Sequence, residues 1–454
     1  MDFFFNPRGI AVLGATPNEQ KGGFSILKNL LSGFSGNIYP VNPRYTEISG
    51  LRCFPAMDQV PDPVDLAIIF VPAAITPQAV DACAKRGLPG VIIQCAGFSE
   101  TGKDGAVLQD QLIEVSRRTG IRIWGPNCMG MVDAVHKRVF SFVTPTIWDE
   151  GLLPGNISLI VQSGMLSAGF LIDMMTRDKR GVSKVCSIGN KVDVDECHIL
   201  EYLLKDPDTA VIGLYLESIK DGRRFFEICG NAGKPVVVLK GGKSESGARA
   251  AMSHTASMAG NSAIIKGAMT QAGVVQANDF RQMMDFSATL ALFPNHQRHK
   301  PGRIAIATFS GGAGIVSSDF LDRHNLLLAK LSQGTLKSLR TVFPEWMPPA
   351  NPIDLWPAVE RSGVDTAYGR TIEALCADPG VDAVFMHAFV GGLIWHLKLA
   401  PIVEMVRKAN KPIFLWLIGS EKNTRRFEEE ARALKVPVFR ELSRAVECMG
   451  AVFS

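Results

Sequence analysis

No Cys-x-x-Cys pair occurs anywhere in the 454 residues, and the nine cysteines are scattered and odd in number. That argues against a disulfide framework or a zinc cluster, and the chain reads as reduced and cytoplasmic. Long apolar runs are missing too, since the longest tracts are interrupted by Pro, Gly or Lys, and no membrane span is expected. The opening MDFFFNPRGI has no basic n-region and is broken by Pro7 and Arg8, unlike a signal peptide. Neither sign of charge is in large excess, with 48 Lys and Arg against 44 Asp and Glu. A net +4 over this length, with no clustered Lys/Arg interleaved with aromatics, predicts no nucleic-acid surface, though it suits phosphorylated small ligands at local sites. Metal-ligand spacing is absent as well: His136, His198, His387 and His396 read as structural or surface residues.

What remains has the balance of a globular enzyme, 46% hydrophobic and 20% charged, in a chain too long for one core. Ile10 to Leu13 reads as a buried strand, followed by Gly14-Ala15-Thr16-Pro17 and by Lys21-Gly22-Gly23 at the start of a helical pattern from Phe24 to Leu31. Strand, glycine turn and helix form a phosphate-binding opening, because a helix N-terminus presents free N–H groups to an anion. The spacing is not G-x-G-x-x-G, and many such turns carry glycine for geometry alone. The second strand ends in Val41-Asn42-Pro43-Arg44, where a nicotinamide site usually places an acidic residue for the ribose. Arg44 favours a phosphorylated ribose instead, as in CoA or NADP. Further strands lead to Val71-Pro72, to Cys95-Ala96-Gly97 and to Gly125-Pro126-Asn127-Cys128-Met129-Gly130. The alternation predicts one open parallel sheet over residues 1–145, with ligands at the carboxyl ends of its strands.

A second cycle, 146–295, opens with Ile157 to Val161 and the turn Gln162-Ser163-Gly164, followed by a helix from Met165 to Met175. That turn suits phosphate, and equally an ordinary Ser cap. The strand Val211 to Leu216 delivers Glu217 to the functional rim, where it can orient an imidazole or merely cap the next helix. The strand Pro235 to Leu239 then runs into KGGKSESGARAAMSHTASMAG, Lys240 to Gly260. His254 stands there among small residues, on a tract free enough to carry an imidazole or to be a plain Gly/Ser connection. A helical region from Ala263 to Leu292 is expected to close this block. The third, 296–454, repeats strand and glycine turn in Arg303 to Thr308 and Ser310-Gly311-Gly312-Ala313-Gly314, and Asn351-Pro352-Ile353-Asp354 reads as a turn.

Taken together, Gly14-Ala15-Thr16, Val41-Asn42-Pro43, Gly125-Pro126-Asn127-Cys128-x-Gly130, Gln162-Ser163-Gly164, Tyr215-Leu216-Glu217, Lys220-Asp221-Gly222, Ser253-His254-Thr255, Ser310 to Gly314 and Asn351-Pro352-x-Asp354 resemble, in order and spacing, the NDP-forming acyl-CoA synthetases. That group includes ADP-forming acetyl-CoA synthetase and the α subunit of succinyl-CoA synthetase, and the resemblance covers essentially the whole chain. It implies an α/β protein with a Rossmann-like CoA-binding domain followed by two flavodoxin-like domains of the succinyl-CoA synthetase kind. It implies an acid–CoA ligase interconverting acyl-CoA, phosphate and ADP with carboxylic acid, CoA and ATP, through an acyl phosphate and a phosphohistidine. The competing reading is a catalytically inactive CoA-binding regulatory module. Carried onto this sequence, His254 and Glu217 are the catalytic pair. Gly14, Thr16, Lys21, Val41, Asn42, Arg44, Val71, Pro72, Ala96, Asn127 and Cys128 face CoA, and Ser163, Gly164, Gly311 and Gly312 hold phosphate. Two positions depart from the family pattern: Ala256 where glycine commonly follows Ser-His-Thr, and Met258 where leucine is usual. Nothing in the chain reads as an ATP-grasp module. The expectation is therefore an α-type subunit whose ADP or ATP, with Mg, sits on an ATP-grasp β partner in a heterotetramer, with no metal of its own. No charged cluster near the thiol end selects a dicarboxylate, so a monocarboxylic acid is expected.

Overall fold

The computed structural model describes residues 1–149, 151–176, 180–249, 261–293, 302–391 and 397–453. Two compact units divide it, Met1–Ala291 and Leu292–Ser454. The first unit holds two large sheets. Its amino-terminal strands are β1 (Gly9–Leu13), β2 (Asn37–Val41), a small hairpin of β3 (Glu47–Ile48) and β4 (Leu51–Arg52), β5 (Leu66–Ile69), β6 (Gly90–Ile93) and β7 (Arg122–Trp124). The five longer strands form a parallel sheet in the order β2-β1-β5-β6-β7. Strands β1, β5 and β6 are buried along their whole length, which is why they read as unbroken apolar runs rather than as alternation.

The chain reverses direction in the strand order between β1 and β5, and there Gly14 turns with φ +90°. A Cβ on Gly14 would stand 2.2 Å from the Phe70 carbonyl oxygen, so no other residue fits the crossing. The helix Gly22–Gly33 starts directly over this turn: a Cβ on Gly23 would lie 2.2 Å from the Gly14 carbonyl oxygen.

The second sheet takes β8 (Gly130–Asp133), β9 (Arg138–Phe140), β10 (Ile157–Val161), β11 (Lys184–Ser187), β12 (Val211–Leu216), β13 (Val236–Lys240) and β14 (Val275–Ala277), in the order β14-β13-β12-β10-β11-β8-β9. All pairs are parallel except β11 with β8 and β8 with β9. The antiparallel ribbon β8–β9 comes from residues 130–140, directly after the first sheet's last strand. One apolar cluster accordingly runs from Phe4 and Trp124 through Ile160, Leu200 and Leu214 to Met269.

Two expectations about the first unit need correction. The open parallel sheet expected over residues 1–145 ends at Trp124, because residues 130–140 pair with β11 and with each other in the second sheet. The region from Ala263 to Leu292 is two helices, Ser262–Gln271 and Phe280–Leu292, with strand β14 between them. Gly273, at φ +67°, ends the first helix, and Val275 and Ala277 are buried at the edge of the sheet.

The second unit is a parallel sheet of β15 (Arg303–Thr308), β16 (Leu327–Leu328), β17 (Ile353–Asp354), β18 (Ala383–Val390), β19 (Ile413–Gly419) and β20 (Val438–Phe439), in the order β16-β15-β18-β19-β20, with β17 also paired to β15. The segment Asn351–Asp354, expected as a turn, thus ends in a two-residue strand, with the Asn351 amide group bonded to Ile304, Ile306 and Ala329 of the neighbouring backbone.

Among the described residues no helix is long and apolar enough to cross a membrane. All nine cysteines are free thiols.

Candidate functional site

The carboxyl ends of β10 and β12 and the turn after β7 meet around a cleft of about 700 Å³ within the first unit. Each wall follows from local sequence. At the end of β10, Gln162 is buried, and its side-chain carbonyl accepts the backbone N–H of Glu217 at 2.8 Å and of Ser218 at 3.0 Å. Gln162 therefore sets the turn that leaves β12. Beyond it, Ser163 lies just before the helix Gly164–Thr176, and both Ser163 and Gly164 line the cleft. A Cβ on Gly164 would find nothing nearer than the Met129 nitrogen at 3.7 Å, an ordinary contact, so glycine there does not relieve a clash.

Glu217 is 9% exposed and also lines the cleft. The Tyr215 hydroxyl donates to its carboxylate at 3.4 Å, and burial followed by the Glu217 charge pushes that phenol up to about 12. Lys240, at the end of β13, donates to the Glu217 and Gly241 carbonyls, each at 2.6 Å. Burial, then the Lys191 charge, holds the Lys240 ammonium below the ordinary lysine range.

The opposite wall is the turn after β7. Asn127 adopts a left-handed backbone, φ +54°, and its side chain donates to the Asn190 amide oxygen at 3.3 Å. Cys128 is buried with its thiol donating to the Ile93 carbonyl at 3.3 Å, and burial pushes it up to about 12. A thiol so held stays protonated near neutral pH, which leaves it no nucleophilic role. Asn190 reaches Glu100 after β6 as well, donating to it at 2.6 Å, and donates to Gln109 of the helix Lys103–Thr119 at 3.0 Å. Burial raises the Glu100 carboxyl, but the Asn190 amide and the Gly97 and Phe98 N–H groups outweigh it and hold it below the usual range.

Five residues singled out from sequence therefore share one cleft: Asn127, Cys128, Ser163, Gly164 and Glu217. The remaining positions expected to face CoA lie on the rim of the first sheet. Asn42 donates to the Ala15 carbonyl at 2.8 Å and accepts the Arg44 N–H at 3.0 Å, tying the ends of β1 and β2. Thr16 accepts the Asn18 N–H, Lys21 is the exposed cap of the helix Gly22–Gly33, and Val41 is buried. Val71 is half-buried after β5, while Arg44, Pro72 and Ala96 are exposed.

Gly311 and Gly312 open the helix Gly311–Arg323 of the second unit, beside Asp354, whose Oδ2 would be 3.1 Å from a Cβ on Gly311. Residues 245–249 of the Lys240–Gly260 segment are helical. His254 lies outside the described residues.

Sequence reasoning gave no role to Lys191, Glu196, Asn190 or the Gln162 side chain. A lysine after Gly-Asn in a turn reads as solvated, and only the strand ending at Ser187 hinted that this turn stands on the functional rim.

Two family models match the chain: a CoA binding domain over residues 8–134 and a succinyl-CoA ligase like flavodoxin domain over 154–290. The chain is 37% identical over 451 residues to an ADP-forming acetate–CoA ligase II of Archaeoglobus fulgidus, covering 99% of this chain and 66% of that protein. It is 38% identical over 432 residues to the α subunit of an ADP-forming acetate–CoA ligase II of Pyrococcus furiosus, covering 93% of this chain and 91% of that one. Among solved structures, the dinucleotide-forming acetyl-coenzyme A synthetase 1 of Candidatus Korarchaeum cryptofilum, in complex with phosphate and ADP, matches with a TM-score of 0.88 at 31% identity, over 99% of this chain and 96% of that one.

Proposed function

The chain belongs to the ADP-forming acetate–CoA ligase family, and on that premise we propose that it is the α-type half of a cytoplasmic acid–CoA ligase. The observation that carries this reading is the single cleft joining the Asn127–Cys128 turn, the Ser163–Gly164 helix start and Glu217. We further read the chain as three functional domains, 1–145, 146–295 and 296–454. The relatives are ligases by name, which speaks for catalysis over a CoA-binding module without it.

In the thioester-cleaving direction, CoA lies along Gly14, Thr16, Lys21, Val41, Asn42, Arg44, Val71, Pro72 and Ala96, with the thiol end at Asn127 and the Cys128 backbone. Inorganic phosphate sits at the N–H groups of the helix starting at Gly164, where the absence of a side chain and the helix dipole both favour an anion. Gly311 and Gly312 offer a second such start. A phosphate oxygen attacks the acyl carbonyl, the carbon–sulfur bond breaks, and CoA leaves as the thiolate and takes up a proton. An acyl phosphate remains. An imidazole nitrogen of His254 then bonds to its phosphorus, the bond from phosphorus to the acyl oxygen breaks, and the carboxylate departs. Glu217 orients the ring and stabilises the cation formed on it. Positioning and charge neutralisation supply most of the rate, so backbone N–H cradles suffice. ADP receives the phosphoryl group on an ATP-grasp β partner that also holds Mg, and the name "subunit alpha" on relatives supports such a division. The acyl group is that of a monocarboxylic acid.

The test offers the purified chain labelled inorganic phosphate and a panel of acyl-CoAs, alone and with a candidate partner, alongside His254→Ala. Acid-labile, base-stable label on the wild type and none on the variant is the expected result. No label under any condition sinks the reading.

A further inference from the structure

Among the charged residues lining the cleft, Lys191 is buried and is left without a task by this chemistry. Its side chain is 4% exposed and its backbone is left-handed at φ +56°, two features that are each unfavourable for a lysine and that persist only where surroundings impose them. The ammonium contacts Glu196 Oε2 at 2.9 Å, the Ser218 carbonyl at 2.9 Å, Ser218 Oγ at 3.2 Å and Gln162 Oε1 at 3.4 Å. Its three N–H bonds are taken by the two Ser218 oxygens and Gln162 Oε1 while Glu196 Oε2 balances the charge as an ion pair, so no donor is left for a phosphate. Lys191 lines the cleft without serving as its anion site.

What it holds is the turn that carries Glu217. Gln162 Oε1, besides meeting Lys191, takes the N–H groups of Glu217 and Ser218, and the other oxygen of Glu196 takes the Lys220 N–H at 2.9 Å. The Lys220 ammonium returns to the Lys191 and Val192 carbonyls, each at 3.2 Å. The backbone on either side of Lys191 is fastened elsewhere, to the thiol-end turn: Asn190 N–H to the Pro126 carbonyl at 2.9 Å and Val192 N–H to the Gly125 carbonyl at 3.1 Å. Gly189 seals that contact, since a Cβ there would stand 2.1 Å from the Pro126 oxygen. One residue thus has its main chain tied to the Asn127 turn and its side chain tied to the Glu217 turn.

We propose that Lys191 is a positioning residue for phosphoryl transfer, fixing the Glu217 turn against the Asn127–Cys128 turn so that the carboxylate stands ready for the imidazole while the acyl phosphate is held. The inference rests on the function proposed above for Glu217 and His254. Its signature is a loss of rate without loss of binding. The donors of the Lys191 clamp are all taken within the protein, so the half-saturating concentrations of acetyl-CoA and phosphate stay within about twofold while the rate of phosphohistidine formation falls.

Three forms of the full chain are compared, each offered labelled phosphate with acetyl-CoA or with the panel member that labels wild type fastest. In Lys191→Met/Glu196→Gln both charges go together, which avoids stranding a buried carboxylate. That variant labels about 100-fold more slowly, and Lys191→Arg, which keeps the charge with a wrong fork, about tenfold more slowly. If the double variant does not fold, Lys191→Arg alone decides. Label on the variants within about threefold of wild type, or a loss confined to affinity, overturns the clamp while leaving the ligase reading intact. Absence of label on wild type itself overturns both.

Discussion

The helix starts at Ser163–Gly164 and at Ser310–Gly312 follow the same pattern, a buried parallel strand, a serine, glycine and a helix, yet their surroundings differ. Over Gly164 a Cβ would meet only ordinary contacts, none nearer than 3.7 Å, and none of them is a carboxylate. Over Gly311 the nearest group is the Asp354 carboxylate, which already accepts the Trp356 N–H at 3.2 Å. A negative charge placed at a helix N-terminus uses the field that would otherwise draw a phosphate. Equal motifs therefore need not confer equal affinity for anions, and the carboxylate beside the second turn opposes a phosphate there.

The largest expected contrast is between the two carboxylates. Glu217→Gln should slow phosphohistidine formation about 100-fold, the usual scale for losing a group that assists proton or charge transfer, whereas Asp354→Asn should stay within about threefold. An equal loss in Asp354→Asn would break the comparison and make the second turn a full partner in the chemistry. Next comes the space over the glycines. Gly164→Ala fits without a clash and should raise the half-saturating phosphate concentration about tenfold, while Gly311→Ala, with only the Asp354 side chain to displace, should change it by about twofold or less.

The units should also part in their response to acid. His387 in the second unit is fully buried between the Thr308 hydroxyl at 2.9 Å and the Ser317 hydroxyl at 3.3 Å, and burial pushes its imidazole down to about 3. Its folded value lies below the unfolded one, so the unfolded chain binds the extra proton first. Stability is full above about pH 6.5 and falls as pH drops toward 3, by about 2 kcal/mol at pH 5. In the first unit Asp195 caps the helix Glu196–Lys205 and pairs with His198. Burial raises its carboxyl, but the His198 hydrogen bonds outweigh that and leave it at about 2. That contribution is present above about pH 4 and is lost only as pH falls from there toward 2. Hydrogen exchange at pH 7 and pH 5 should show the second unit opening more readily at the lower value, and His387→Gln should flatten the difference. Exchange that changes equally in both units would refute it. The smallest effect belongs to Asp195→Ala, which removes the cap and should cost the first unit about 1 kcal/mol in denaturant unfolding at pH 7 while the second unit's transition stays put.

The strands buried on both faces were legible because burial leaves a run of β-branched and aliphatic residues. Val211–Leu216 and Ile157–Val161 match their expected limits, while β1 differs by a residue at one end and β13 by a residue at each. Gly14, Ser163 and Glu217 were legible for a related reason, since strand ends put them on the rim. The ribbon β8–β9 was not: its pairing with β11 depends on a neighbour more than 40 residues on, and nothing local says which sheet Gly130–Asp133 joins. Nor was the three-residue strand β14, too short to interrupt a helical pattern. Lys191 escaped notice because its burial follows from Glu196 and Ser218 converging on it in space, whereas its sequence neighbours, Asn190 and Asp193, are those of a solvated turn.

The path of the chain through the ribbon sets where genes of this kind can be cut and rejoined. Residues 130–140 leave the first sheet to finish the second, and the segment after β11 is stitched back along β7, with Trp124 bonded to the Ser187 carbonyl and Val194 to the Ile123 carbonyl. A crossover near residue 146 would give one parent's ribbon to another parent's sheet and mismatch both seams. Shuffling between relatives should therefore yield active chimaeras when the exchanged cassette runs to Ala291, and insoluble ones when it stops midway.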